Sequence, residues 1–132
     1  MKNKRKFRQI VVLLLVVLLG CAAEVHAEGV SAAYLENSGD RTILELQVTD
    51  PPPTSIIVNQ IIPAGVVIKS ASPGYTKFSA GKNVVKWLLK HPRPGVLWIV
   101  LVYEGTLPGK GATAIIRCKS PSDGTLMTIE LR

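Results

Sequence analysis

Glycine and proline recur from Val30 onward at the boundaries of short apolar runs, and this punctuation restricts the fold more than any other feature of the chain. Short strands joined by turns accommodate such breaks, whereas helix interiors do not. No window beyond the N-terminal segment keeps a 3.6-residue apolar period, so an all-β chain is expected. Within 42–48, Leu44, Leu46 and Val48 fall on one face and Glu45 and Gln47 on the other, the alternation of a half-buried strand. Asn37-Ser38-Gly39-Asp40 reads as a tight turn back from an earlier strand around Ala32 to Glu36. Asp50-Pro51-Pro52-Pro53 then ends pairing, because consecutive prolines donate no N–H and fix φ.

Further strands are expected over 55–61, 66–70, 83–89, 96–103, 112–118 and 125–131, each bounded by Gly or Pro. Seven or eight strands in about 100 residues suit a two-sheet β-sandwich. The pattern places Trp87 in the core with Val85 and Leu89, while Lys86, Leu88 and Lys90 alternate away from them. Trp98 is embedded in strand-pattern residues rather than in a loop and is assigned to the core on the same ground, the alternative for either tryptophan being to stack on a ligand. Val96 to Tyr103 is nearly continuous in apolar residues, which suits a central strand covered on both faces or one that contacts a partner.

The N-terminus has a different character. Lys2, Lys4, Arg5, Lys6 and Arg8 precede an unbroken apolar run from Ile10 to Leu19, the layout of a signal peptide. Ten apolar residues at 1.5 Å rise cover about half of a bilayer core of roughly 30 Å, too little for a transmembrane helix. Leu18-Leu19-Gly20-Cys21 resembles a bacterial lipobox, in which the Cys is lipidated and becomes the first mature residue. The competing site is Val25-His26-Ala27, with cleavage after Ala27. The lipobox is preferred because Cys21 follows the apolar run directly. The expected organisation is a signal peptide over 1–20, a short stem over 21–29 and a sandwich domain over 30–132, carried on a membrane-anchored lipoprotein of the bacterial envelope.

That division changes the meaning of the charge. The whole chain is +7, but from Glu28 onward eleven basic residues face eight acidic ones, a balance of +3. Nucleic acid is therefore not expected as a partner. What stands out instead is local: Lys69, Lys77, Lys82, Lys86, Lys90 and Arg93 lie between Asp50 and Glu104 with no acid among them. Lys77, Lys82, Lys86, Lys90 and Arg93 form a candidate basic face for anionic lipid head groups, polysaccharide or an acidic partner. Solvated strand faces and protected sheet edges would account for the same lysines.

Segments of 48–103 resemble the conserved-repeat domain of bacterial and archaeal cell-surface proteins. The residues that carry the likeness are Ile56-Ile57-Val58 leading into Ile62-Pro63-Ala64-Gly65-Val66, then Val85-Lys86-Trp87-Leu88, then Pro94-Gly95 before a long apolar strand. The resemblance implies an immunoglobulin-like sandwich and a role in surface architecture and adhesion. The chain departs from the pattern at Asp50 with its triple proline and at Asn59-Gln60, and it holds one copy rather than a tandem array.

Little in the chain suggests catalysis. Cys118 stands alone once Cys21 is lipidated or removed with the leader, and a buried inert thiol is expected there. His91 sits between Lys90 and Pro92 with no acid nearby in sequence, and no metal, haem, nucleotide or hydrolase motif is present, so no cofactor is expected. The expected function is non-enzymatic: interaction or assembly with another envelope protein or surface polymer. A small periplasmic or secreted module that binds a ligand or carbohydrate is the alternative, and an aromatic content of 5% disfavours it.

Overall fold

The computed structural model describes residues 25–27 and 29–132. The expected signal peptide and the expected lipidation site at Cys21 lie outside the described residues. The described chain is all-β, without helix, and its strands are β1 (Val25–Ala27), β2 (Val30–Ser38), β3 (Arg41–Val48), β4 (Ser55–Ile61), β5 (Val67–Ser72), β6 (Lys77–Ser79), β7 (Val84–Lys90), β8 (Gly95–Glu104), β9 (Thr113–Lys119) and β10 (Leu126–Leu131). They form two five-stranded antiparallel sheets: sheet A in the order β1-β2-β3-β8-β5 and sheet B in the order β10-β9-β4-β7-β6.

Ten strands replace the expected seven or eight. β1 falls inside the segment assigned to the stem, where Val25, His26 and Ala27 pair with Ala32, Ser31 and Val30. The paired part of the chain therefore begins before the expected boundary at Val30. β6 is the other addition, a three-residue strand along β7. Neither is long enough to display a periodicity.

The sheets stack through their inner faces. Leu44, Leu46, Ile99 and Leu101 of sheet A meet Ile56, Val58, Val85, Trp87, Ile116 and Ile129 of sheet B in one core. Trp87, 1% exposed, is its largest member, and its indole N–H donates to the Pro73 carbonyl at 2.9 Å. Tyr75 stands edge-on against that ring with centroids 6.5 Å apart, so the segment between β5 and β6 covers this side of the core.

At the end of the sandwich away from Pro51-Pro52-Pro53 the core turns polar. The Tyr34 hydroxyl donates to Gln60 Oε1 at 2.9 Å, and the Thr42 and Tyr103 hydroxyls share a hydrogen bond of 2.7 Å. Asn37 extends the cluster by donating from Nδ2 to the Ala112 carbonyl and accepting from the Ala112 N–H at Oδ1. That docking holds the 105–112 loop against sheet A, and Gly111 makes it feasible: a Cβ there would lie 2.5 Å from the Asn37 carbonyl oxygen, at φ +79. Burial, reinforced by the Tyr103 phenol, pushes the Tyr34 phenol far up, so it stays a neutral donor.

Gln60 is fully buried and its Nε2 has no partner. Tyr34→Phe leaves both ends of that amide unpaired, and Gln60→Leu orphans the phenol instead. Each single change is expected to cost about 1–3 kcal/mol. The double variant removes both partners and is expected to cost less than the sum by about 1 kcal/mol or more, read by urea denaturation of the four proteins.

Candidate functional site

The two outer faces of the sandwich differ in chemistry. On sheet A the outward residues follow from register: Arg41 opposes Val102, Ile43 opposes Val100, Glu45 opposes Trp98 and Gln47 opposes Val96. The inward partners on β8 are Ile99, Leu101 and Tyr103, all buried. β8 thus lies inside its sheet, yet its solvent side is Val96, Trp98, Val100 and Val102, apolar throughout. Val96 is 62% and Trp98 54% exposed.

Trp98 is therefore not a core residue, in contrast to Trp87. A continuously apolar run does not reveal which side faces in; the partner strand does, through Glu45 and Gln47. The Trp98 indole N–H donates to Glu45 Oε2 at 2.9 Å, and the Gln47 amide donates to Glu45 Oε1 at 3.0 Å. Each carboxylate oxygen has a donor, and the exposed ring is fixed in orientation. A bulge between Tyr34 and Glu36 leaves Leu35 exposed beside this face. The apolar centre is bordered by Ser70 and Ser72 on β5 and by Ser31, Glu36 and Arg41 on the other side. An apolar centre within a polar border is the layout of a protein interface.

The outer face of sheet B is basic. Lys77 and Lys86 are direct cross-strand partners, and Asn59 of β4 lies on the other side of Lys86. With Lys82 from the β6–β7 turn they line a cleft of about 340 Å³. Lys90 shares the outward side of β7, but with Arg93 it lines a different cavity of about 450 Å³ in the β7–β8 connection. The five expected basic residues therefore divide into a cluster of three and a pair at the opposite end of β7. Arg117 of β9, opposite Ile57, adds an exposed cation to the same face that sequence spacing could not connect with it.

His91 is exposed at φ +49, its backbone N–H donating to the Thr54 carbonyl, while Glu104 lies at the other end of β8. Cys118 is buried, and burial pushes its thiol pKa up, which keeps it protonated and weakly nucleophilic. Among the described residues no three His, Cys, Asp or Glu side chains converge on one point. No family model, curated protein or solved structure matches the chain.

Proposed function

We propose that the chain is a non-enzymatic, exported immunoglobulin-like domain, tethered to the cell envelope as a lipoprotein through Cys21, and that it serves surface assembly by pairing sheet A face to face with sheet A of a second copy. The observation that carries this reading is the apolar outward row of β8, with Trp98 oriented by its hydrogen bond to Glu45. A pre-oriented aromatic ring loses little freedom on binding, which is why such residues anchor interfaces.

The strand order supports the immunoglobulin-like class. β2-β3-β8-β5 corresponds to the ABED sheet of such domains, and β4-β9-β10 to CFG, with β7 added beside β4. The β6–β7 hairpin enters the chain between the strands that correspond to D and E, a departure from the usual order.

Charge favours a second copy as the occupant. Arg41 and Glu45 flank Ile43 on the outward side of β3. A two-fold axis crossing the strands at Ile43 and Val100 sets Glu45 of one copy against Arg41 of the other, twice over, while the two Glu36 side chains, which share Ile43's row, meet at the rim where water screens their repulsion. The four longer strands of sheet A, at about 4.8 Å spacing and roughly eight residues of 3.3 Å, offer about 500 Å² per copy. The total of roughly 1,000 Å² is at the lower bound of a biological interface, so the pair is reversible.

A charge exchange tests the pairing. Arg41→Glu and Glu45→Lys are each expected to weaken self-association about tenfold or more, and the two together to restore the part due to the charge pair while the Trp98 acceptor stays lost. Restoration fails if the face meets anything other than its own copy.

A further inference from the structure

We infer that the cleft at the β6–β7 edge of sheet B holds the phosphate of an anionic phospholipid head group, which orients the unpaired domain on the membrane that carries it. This assignment rests on the envelope-anchor reading given above and adds a second contact to it. Lys77 and Lys86 face each other directly across the β6–β7 ladder, a like-charge pairing that disfavours the sheet and that an anion between the two ammonium groups relieves. Lys82 reaches the same cleft from a turn pinned by its own N–H to the Ser79 carbonyl and by Asn83 N–H to the Ala80 carbonyl.

Among the described residues none of the three lysines has a carboxylate partner, and no acid lines the cleft. The nearest acid along the row is Glu130, which follows Lys86, Asn59 and Ile115 on β10. Three strand spacings put it about 14 Å from Lys86, beyond a Debye length of about 8 Å at physiological salt. The lysines are thus cations without a counter-ion, with the Asn59 amide and the Ser79 hydroxyl beside them as hydrogen-bonding groups. The rest of the lining is apolar, from Ile61, Val84 and Ile115. Cations around an apolar floor match a phosphate ester that carries a short carbon backbone, and a bare inorganic anion would leave that floor uncovered.

The tether supplies the same ligand at high local concentration. Cys21 lies four positions before Val25, at most about 14 Å of chain, and β1 packs beside β10, so a lipid there and the cleft bracket the outer face of sheet B from its two edges. Each lysine near an anionic surface contributes attraction equivalent to about a fivefold change in affinity.

The test is lysine footprinting by mass spectrometry on the mature chain. The chain is placed in vesicles of phosphatidylglycerol mixed with phosphatidylcholine, of phosphatidylcholine alone, and of phosphatidylcholine with added inorganic phosphate. Acylation of Lys77, Lys82 and Lys86 is expected to slow about fivefold in the anionic vesicles only, with Lys110 unchanged, and to recover at about 1 M salt. Equal rates in all three preparations overturn the site, and so does uniform slowing of every lysine. Protection by inorganic phosphate without protection by phosphatidylglycerol overturns the head-group assignment. The N-terminal peptide in the same spectra reports whether Cys21 carries diacylglycerol, so a failed anchor and a failed cleft give separate signatures.

Discussion

Replacing Trp87 by alanine is expected to cost about 3–5 kcal/mol, the range for removing a large aromatic ring from a close-packed core. The indole is 1% exposed and is the largest fully buried side chain of the core. Its loss removes the edge-on contact with Tyr75 and leaves the Pro73 carbonyl without its donor. The segment over the β5–β6 side is then held to β7 by the Thr76 backbone and hydroxyl hydrogen bonds. A domain of this size has roughly 5–15 kcal/mol of total stability, so the variant sits near the threshold of folding. For about 100 folded residues each kcal/mol shifts the melting temperature by about 4–8 °C, and the expected fall is therefore at least about 12 °C. Trp87→Phe keeps the ring contact but drops the N–H, and is expected to lose only about 1–2 kcal/mol. Thermal melts followed by far-UV circular dichroism check both values.

Trp98 carries the opposite expectation, although it is the same residue type on a neighbouring strand of the chain. With 54% of its surface open to solvent, Trp98→Ala is expected to change stability by about 1 kcal/mol or less. Its effect falls on assembly. The ring is already oriented by Glu45, and truncating an anchor of this kind costs about 2 kcal/mol or more of binding, roughly a thirtyfold loss of affinity. Val100→Lys is expected to do more, about a hundredfold or greater, because it sets an ammonium group at the centre of an apolar contact with no acid opposite. The same substitution points away from the core, and the monomer is expected to stay folded. The contrast between the two tryptophans therefore separates folding from function in one chain.

Most strands were legible in the sequence because alternation and Gly or Pro boundaries are local signals. The 55–61 strand ends where Pro53 and Pro63 require, and Leu44, Leu46 and Val48 point inward as their spacing implies. β1 and β6 were not legible, since three residues such as Val25-His26-Ala27 or Lys77-Phe78-Ser79 carry no periodicity and pair only because a neighbouring strand offers them an edge. The outward face of β8 was hidden for a different reason. With Val96 through Val102 all apolar, the sequence names no solvent side, and the assignment depends on pairing with Glu45 and Gln47 some fifty residues earlier.

The basic residues show the same dependence on long-range pairing. Lys86 and Lys90 could be placed on one face from their even spacing, but Lys77 joins Lys86 only through the β6–β7 register. Arg93 leaves the cluster because it falls in the connection at the other end of the sandwich. Arg117 enters the face from β9, at a distance in sequence that no spacing argument bridges.

Sedimentation equilibrium of the mature chain and of Val100→Lys, in detergent matched to solvent density, tests the assembly role directly. The native chain is expected to pass from monomer to dimer as its concentration rises through about 10 µM, the weak range that an interface of this size gives, while Val100→Lys stays monomeric throughout. A native chain that remains monomeric at several hundred micromolar, or a Val100→Lys chain that dimerises as well as the native one, would contradict pairing through sheet A.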